Sequence, residues 1–155
     1  MADGPGVRIP PPAFFVIAGL LAWGLHTRLM FTIDGSGAGV AQRSIGAVAV
    51  AAGLAVILWA GVTLTRAHTT VNPNRAASHL VTAGPYAITR NPIYLGFATM
   101  FLGIALIVNS GWMILLLPFV LLVVAALVIV REERHLRHKF GDDFETYVRR
   151  VRRWL

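Results

Sequence analysis

Apolar residues run along this chain in four long blocks separated by short polar stretches. Each block is close to the roughly 20 residues that a helix needs to cross a bilayer, and the blocks cover about residues 13–33, 45–65, 92–108 and 112–130. The pattern predicts an all-α, polytopic membrane protein with about four transmembrane helices. Residues 131–155 are more polar, and their spacing predicts a C-terminal helical tail.

Residues inside the blocks predict how the helices pack. Asn109-Ser110-Gly111 separates the third and fourth blocks by a tight turn, so these two helices should form an antiparallel hairpin. Pro118 should kink the fourth helix because it removes a backbone donor. Small residues of the second block permit close helix approach, namely Ala47, Ala49, Ala51 and Gly53.

Gly141 divides the tail into two predicted helices. In the second helix, apolar residues recur at helical spacing among arginines: Phe144, Tyr147, Val148, Val151, Trp154 and Leu155. Such an amphipathic helix fits two places equally well. It can lie on an anionic membrane surface, or it can pack onto the cytoplasmic face of the protein itself.

Composition fits one integral membrane domain over residues 1–155. The chain is 56% hydrophobic and 14% charged, and it is too short for two sizeable domains. It has no cysteine, which excludes disulfides, thiolate metal sites and a cysteine nucleophile. The histidines form no HExxH motif, so we expect no metal site.

The net charge of +7 is distributed unevenly around the apolar blocks. Only Arg28 and Arg43 belong near one set of helix ends, and His26 also lies there. The other set carries Arg8, Arg66, Arg75, Arg90, Arg131, Arg134, Arg137, Lys139, Arg149, Arg150, Arg152 and Arg153. By the positive-inside rule, both termini should be cytoplasmic. Because the basic residues flank apolar spans, we expect membrane lipids as partners and no nucleic acid.

The start of the third block is a candidate anion site. Asn91 is placed to cap the helix and Pro92 to occupy its first position, where no donor is lost. The free amides of a helix N-terminus favour an anion, and Arg90 adds a full positive charge. The same residues also suit a plain helix cap beside an arginine that reaches lipid headgroups.

Two adjacent carboxylates, Glu132 and Glu133, follow the fourth block. Glu133 should pair with Arg137 one helical turn on. Glu132 has Leu136 at the equivalent position, so it is the better candidate to contact a cationic ligand. Because both carboxylates and the Arg90 segment border the same side of the membrane, we expect them to form one site.

These segments resemble the isoprenylcysteine carboxyl methyltransferase and phospholipid methyltransferase family of integral membrane enzymes. The resemblance covers roughly His68 to Leu155. It rests on five segments, which are residues 78–86, 90–96, 132–136, Phe140-Gly141 and 147–151. The family implies S-adenosylmethionine bound on the cytoplasmic side and a lipophilic acceptor that enters from the bilayer.

The resemblance also implies roles for individual residues. Arg90 would hold the cofactor carboxylate, Glu133 or a histidine would assist removal of a proton from an amine acceptor, and Arg131 would hold an anionic substrate. The cofactor site would comprise His79, Leu80, Val81, Tyr86, Asn91, Pro92, Tyr94 and Glu132. One departure concerns Asn91, because the family commonly has His there and an amide cannot act as an acid or base near neutral pH.

The sequence leaves the methyl acceptor open between a prenylated cysteine, a phospholipid amine, a small thiol and an isoprenoid acid. Two other functions also remain open. One is an NADPH-dependent membrane reductase of the sterol-reductase type. The other is a non-catalytic lipid-binding membrane protein whose arginines contact headgroups.

Overall fold

The protein is described by a computed structural model that covers residues 10–68 and 79–155. Three residues used above, Arg8, Arg75 and Ser78, lie outside the described residues. The described part is helical, as predicted, and its extended structure is limited to an isolated bridge between Thr32 and Ser110. Its elements are α1 (Pro11–Arg28), α2 (Val40–Arg66), a 3₁₀ helix (Gly84–Ala87), α3 (Pro92–Ile107), α4 (Gly111–Val124), a π-helical turn (Ala125–Ile129) and α5 (Val130–Arg150).

Two helical segments of the described residues are long and apolar enough to cross a membrane. One is α2, and the other is the continuous run Gly111–Arg150, which joins α4, the π-helical turn and α5. The third predicted span corresponds to the shorter apolar helix α3. The first prediction, 13–33, is wrong at its C-terminal end, because α1 ends at Arg28. The following residues instead contact the turn between α3 and α4.

Helices α2 and α3 pack antiparallel with their backbones in direct contact. A Cβ atom added to Gly53 would lie 2.5 Å from the carbonyl oxygen of Gly96, and one added to Gly46 would lie 2.7 Å from that of Gly103. The reciprocal distances are 2.8 and 2.6 Å. The predicted close approach is therefore made by glycines seven residues apart. Of the alanines proposed above, Ala47 and Ala51 are exposed.

Asn109 links the turn between α3 and α4 to the α1–α2 loop and to the start of α2. We call this end of the helices the Asn109 end. The side-chain oxygen of Asn109 accepts hydrogen bonds from the backbone amides of Ile33 and Asp34 and from Gln42, at 3.0–3.1 Å. Its side-chain nitrogen donates to the Asp34 carbonyl at 2.7 Å. Asn109 also adopts a left-handed backbone with φ 56°, which an asparagine tolerates. The predicted turn is therefore also the anchor of the α1–α2 loop.

Helix α1 packs on α3 and α4 through aromatic and small residues. The ring of Phe15 stacks on Phe97 at 5.6 Å between centroids and meets Phe101 edge-on at 6.1 Å. In the π-helical turn, Val128 and Ile129 are fully buried. A π-helical turn inserts an extra residue into the helix and so changes which side chains face inward. It ends at Ile129, shortly before Glu132 and Glu133, and therefore affects the direction in which both carboxylates point.

The tail folds back onto the protein. Gly141 has φ 49° and ψ −122° and breaks α5 into two segments, as predicted. Beyond it, Phe144, Tyr147 and Val151 are buried against Leu80 and other partly buried apolar residues. The structure therefore favours packing on the protein over a membrane surface for this stripe.

Candidate active site

The starts of α3 and α5 meet through one hydrogen bond. The Tyr94 hydroxyl donates to Oε1 of Glu132 at 2.8 Å, although 38 residues separate them in sequence. Tyr94 is buried and Glu132 is half-buried. The two polar clusters identified in the sequence are thus neighbours, at the end of the helices opposite Asn109. We call this the Glu132 end.

Glu132 is held where its negative charge is unfavourable. Burial raises the pKa of its carboxyl to about 6, and the nearby charge of Glu133 acts in the same direction. The Tyr94 hydrogen bond lowers this pKa but does not offset the burial. A carboxylate in such surroundings is stabilised when a cation binds beside it.

The neighbouring carboxylate has the opposite surroundings. Glu133 is 8% exposed and lies between two arginines. Its Oε1 pairs with Arg90 at 2.9 Å and its Oε2 with Arg153 at 2.6 Å. The predicted pair with Arg137 is wrong, because Arg137 pairs with Glu145 beyond the Gly141 break. Glu133 pairs with two arginines because a buried carboxylate needs more neighbouring positive charge than an exposed one.

The segment before α3 is hydrogen-bonded to the backbone of the tail. The Arg90 amide donates to the Arg152 carbonyl at 3.0 Å. Both the Thr89 hydroxyl and the Asn91 side-chain nitrogen donate to the Arg153 carbonyl, at 3.1 and 2.9 Å. Asn91 does occupy the N-cap position, but its side chain makes no capping hydrogen bond. It joins two segments of the site instead of closing the helix end.

The other two tyrosines of the chain adjoin the pair of Tyr94 and Glu132. Tyr86 lies near Glu132, and Tyr147 contacts Tyr86. The Tyr147 hydroxyl donates to the Tyr86 carbonyl at 2.7 Å. Burial, followed by the charges of Tyr147 and Glu132, raises the pKa of Tyr86 well above its ordinary value. Burial likewise raises the pKa of Tyr147 to about 12. Tyr86 and Tyr147 therefore stay neutral near pH 7.

A cleft of about 560 Å³ opens beside Tyr147. Its volume is within the range of small-molecule sites. It carries both charge signs and three hydroxyl side chains, and its lining residues are Leu80, Thr82, Ala87, Asp143, Thr146, Tyr147, Arg150 and Val151. Of the predicted cofactor residues, Leu80 contributes to this wall.

The remaining predicted residues differ in their exposure. Pro92 is fully buried at the first position of α3. Val81 is half-buried, whereas His79 and Arg131 are exposed. The cluster that the structure brings together thus comprises Arg90, Asn91, Tyr94, Glu132 and Glu133, with Tyr86 beside it.

Two residues that contact this cluster were not among the predicted site residues. Arg153 supplies the second ion pair to Glu133, and Tyr147 contacts Tyr86. In the sequence, Arg153 is one of several tail arginines and Tyr147 belongs to an apolar stripe. A weak signal was available for Tyr147, because a tyrosine in an apolar stripe needs a partner for its hydroxyl when buried.

Comparison with known proteins bears on this arrangement. Residues 41–143, about two thirds of the chain, match the family described as phospholipid methyltransferase. The chain belongs to this family. The family resemblance found in the sequence is thereby confirmed, and the match extends further toward the N-terminus than predicted, into α2. It ends before Tyr147 and Arg153.

This phospholipid methyltransferase family member also has a curated relative. An uncharacterized protein of Haemophilus influenzae is 49% identical over 35 residues, which cover 23% of this chain and 56% of that protein. The chain thus spans little more than half the length of this relative. No solved structure matches the chain.

Proposed function

We propose that this protein transfers a methyl group from S-adenosylmethionine to a lipophilic acceptor at the membrane face. The observation that carries the proposal is Glu132, a half-buried carboxylate that accepts a hydrogen bond from Tyr94 and whose pKa burial raises. Such a group favours a cationic ligand, and the cofactor has ammonium and sulfonium groups. Membership of the phospholipid methyltransferase family supports the reaction class.

The proposed setting is a membrane crossed by four helices, with the Glu132 end on the cytoplasmic side. The outward faces of α1, α2 and α4 support it, since Leu20, Val48 and Leu122 are each about two-thirds exposed. In water such faces would be costly, whereas lipid chains cover them without cost. Among the described residues, Arg28 and Arg43 lie near the Asn109 end, and the basic residues of the tail lie toward the other.

The residues around Glu132 fit the two charged ends of this cofactor. The carboxylate and the three tyrosine rings suit its cationic groups. Arg90 suits its carboxylate, because the Arg90 Nε is buried with no hydrogen-bond partner within residues 10–68 and 79–155. The cleft lined by Leu80, Asp143 and Arg150 is large enough to take part of the molecule. His79, Val81, Asn91 and Pro92 would complete the surroundings.

The cofactor, when bound, supplies a methyl group on a sulfonium sulfur that leaves as a neutral thioether. The protein then has mainly to orient the acceptor in line with that methyl group and to exclude water. A carboxylate or thiolate acceptor needs no base. Arg131, exposed at the start of the tail, would hold the headgroup of an anionic acceptor.

An amine acceptor must lose a proton before it attacks. Both carboxylate oxygens of Glu133 are engaged by arginines, so we propose that Glu133 positions Arg90 in the ligand-free state. Proton removal by Glu133 would require these ion pairs to open. His135 lies one turn after Glu132, and its Nε2 is buried with no partner in the part of the chain that is described. It is a better-placed proton acceptor.

Calorimetry on the detergent-purified protein tests the proposal. S-adenosylmethionine and S-adenosylhomocysteine should bind saturably, and NADPH should not. Glu132→Gln should weaken S-adenosylmethionine by about 10- to 100-fold, the cost of one charge-assisted interaction. Glu145→Gln changes an exposed carboxylate of the same helix and should leave the affinity unchanged.

Three outcomes would overturn this assignment. Saturable binding of NADPH in place of the sulfur cofactor would point to a reductase. Binding of neither, by protein with an intact thermal transition, would point to a lipid-binding protein. Equal loss of affinity in Glu132→Gln and Glu145→Gln would show that the Glu132 carboxylate does not contact the cofactor.

A further inference from the structure

A second cavity lies on the lipid-facing side of the helices. It is a groove of about 440 Å³ between α1, α3 and α4, walled by aromatic and aliphatic residues such as Phe15, Trp23, Phe97 and Phe101. It runs along α1 from Pro12 to His26, a rise of about 21 Å at 1.5 Å per residue. The groove is therefore elongated and fits a single extended hydrocarbon chain better than a compact ligand.

The Asn109 end of this groove contains two polar atoms without partners. His26 and Ser110 both line the groove. The His26 Nδ1 and the Ser110 Oγ are buried, and neither has a hydrogen-bond partner within residues 10–68 and 79–155. Ser110 is 3% exposed. Leaving buried polar groups unpaired is unfavourable, so this end of the groove is suited to a polar group of a ligand.

The chemistry of His26 and Ser110 indicates which polar group of a ligand would fit this end of the groove. No Asp, Glu, Lys or Arg is among the lining residues, which disfavours a phosphate, carboxylate or ammonium headgroup. A hydroxyl both donates and accepts, so it can satisfy either tautomer of His26 and also the Ser110 hydroxyl. A carbonyl or ether lacks the donor.

We propose that the groove binds a single-chain lipid with a terminal hydroxyl, whose hydroxyl bonds to His26 and Ser110 and whose chain lies along α1 toward Pro12. The site is separate from the proposed methyl transfer. The hydroxyl lies at the Asn109 end, whereas Tyr94 and Glu132 define the opposite end. The proposal therefore does not depend on the cofactor assignment.

The test uses the full chain reconstituted in phosphatidylcholine nanodiscs with a diazirine-bearing long-chain alcohol. Irradiation should label peptides of α1 and α3. Hexadecan-1-ol should compete about tenfold more strongly than hexadecane or 1-methoxyhexadecane, because two modest hydrogen bonds amount to about that factor. Equal competition by the alcohol and the alkane, or labelling away from the groove, would overturn the proposal without any variant.

Variants then assign the hydroxyl contact. The double variant His26→Phe, Ser110→Ala should reduce the preference for the alcohol over the alkane to less than about threefold. The matched control is His138→Phe with Ser44→Ala, since both residues are exposed and neither lines the groove. A preference that persists in the double variant would contradict the assignment to these two side chains. Binding of S-adenosylmethionine should be the same in both.

Discussion

Glu132 and Glu133 are neighbours in sequence but have different partners. Successive helical residues point about 100° apart, so one carboxylate faces Tyr94 while the other faces Arg90 and Arg153. The sequence identified both carboxylates and correctly gave Glu132 the less compensated position. It assigned the wrong partner to Glu133 because helical spacing reports only neighbours on the same helix, and the true partners are 43 and 20 residues away in sequence.

Affinity for a cationic cofactor should depend on pH through Glu132. Because its pKa is raised to about 6, the protonated carboxyl stabilises the ligand-free fold, and that contribution is lost as pH rises through 6. The ionised form binds the cation. Affinity for S-adenosylmethionine should therefore be about tenfold weaker at pH 5 than at pH 7, since only about a tenth of Glu132 is ionised at pH 5.

Calorimetry in buffers of different ionisation enthalpy provides the measurement. Binding at pH 6 should release protons, and the observed heat should vary with the buffer. In Glu132→Gln both the pH dependence and the proton release should disappear. Retention of both in that variant would assign the titration to another group.

The Arg90–Glu133–Arg153 cluster should contribute strongly to stability. Glu133→Gln would leave the largely buried Arg90 and the partly exposed Arg153 without their carboxylate, at a cost of about 3 kcal/mol, which comes mainly from Arg90. The matched control is Glu145→Gln, whose pair with Arg137 is about half exposed and should be worth less than about 1 kcal/mol. Thermal unfolding in detergent measures both. Equal shifts of the two midpoints would contradict a structural role for the buried cluster.

At the scale of the elements, the α2–α3 pair depends on four glycines that meet backbone to backbone. The small residues of the second apolar block correctly predict close packing, but the predicted contacts are mainly alanines spaced by four. The actual contacts recur every seven residues, at Gly46 and Gly53 on α2 and at Gly96 and Gly103 on α3. The spacing of small residues in α2 could not show which of them make the contact, because that depends on which face of α2 packs against α3.

Gly53→Ala should destabilise the protein markedly. The added methyl group would meet the Gly96 carbonyl oxygen at 2.5 Å, and a backbone atom cannot rotate away. Forced overpacking of this kind costs about 1–3 kcal/mol. Gly61→Ala lies on the same helix, where an added Cβ meets nothing within 4 Å, and it should be neutral or slightly stabilising. Thermal midpoints of the two variants distinguish a specific contact from a general effect of alanine.

The apolar pattern of the tail predicts a helix but not the surface that covers its apolar face. The spacing of Phe144 and Tyr147 correctly predicted a helix with one apolar face, and the break at Gly141 was also correct. The predicted helix is wrong at its C-terminal end, because α5 ends at Arg150, before the last residues of the stripe: Val151, Trp154 and Leu155. The pattern did not distinguish lipid from protein as the covering surface, since both are apolar. Only the partner residues, among them Leu80, determine the result.

At the scale of the whole molecule, different kinds of interaction stabilise the two ends of the helices. Neutral hydrogen bonds of Asn109 join the Asn109 end, whereas ion pairs of Glu133 join the Glu132 end. The sequence predicted the helical class and the meeting of the two polar clusters. It did not predict the Asn109 network, because a turn sequence reports local backbone preference and not its distant partners.

The proposed membrane orientation can be tested by labelling single cysteines, since the chain has none of its own. Ser36→Cys lies in the exposed loop between α1 and α2, and His138→Cys is exposed on α5. In intact cells, a membrane-impermeant maleimide should label Ser36→Cys. It should label His138→Cys only after the membrane is disrupted. Labelling of both from one side would contradict the four-span arrangement.

The ion pairs of Glu133 have a consequence for the order in which the protein is made. A nascent chain leaves the ribosome from its N-terminus, so α2 and α3 can pair while later residues are still being synthesised. Arg90 then emerges before its carboxylate partner, and Arg153 emerges twenty residues after it. The ion pairs of the Glu132 end can therefore form completely only after Arg153 has been synthesised, later than the pairing of α2 with α3.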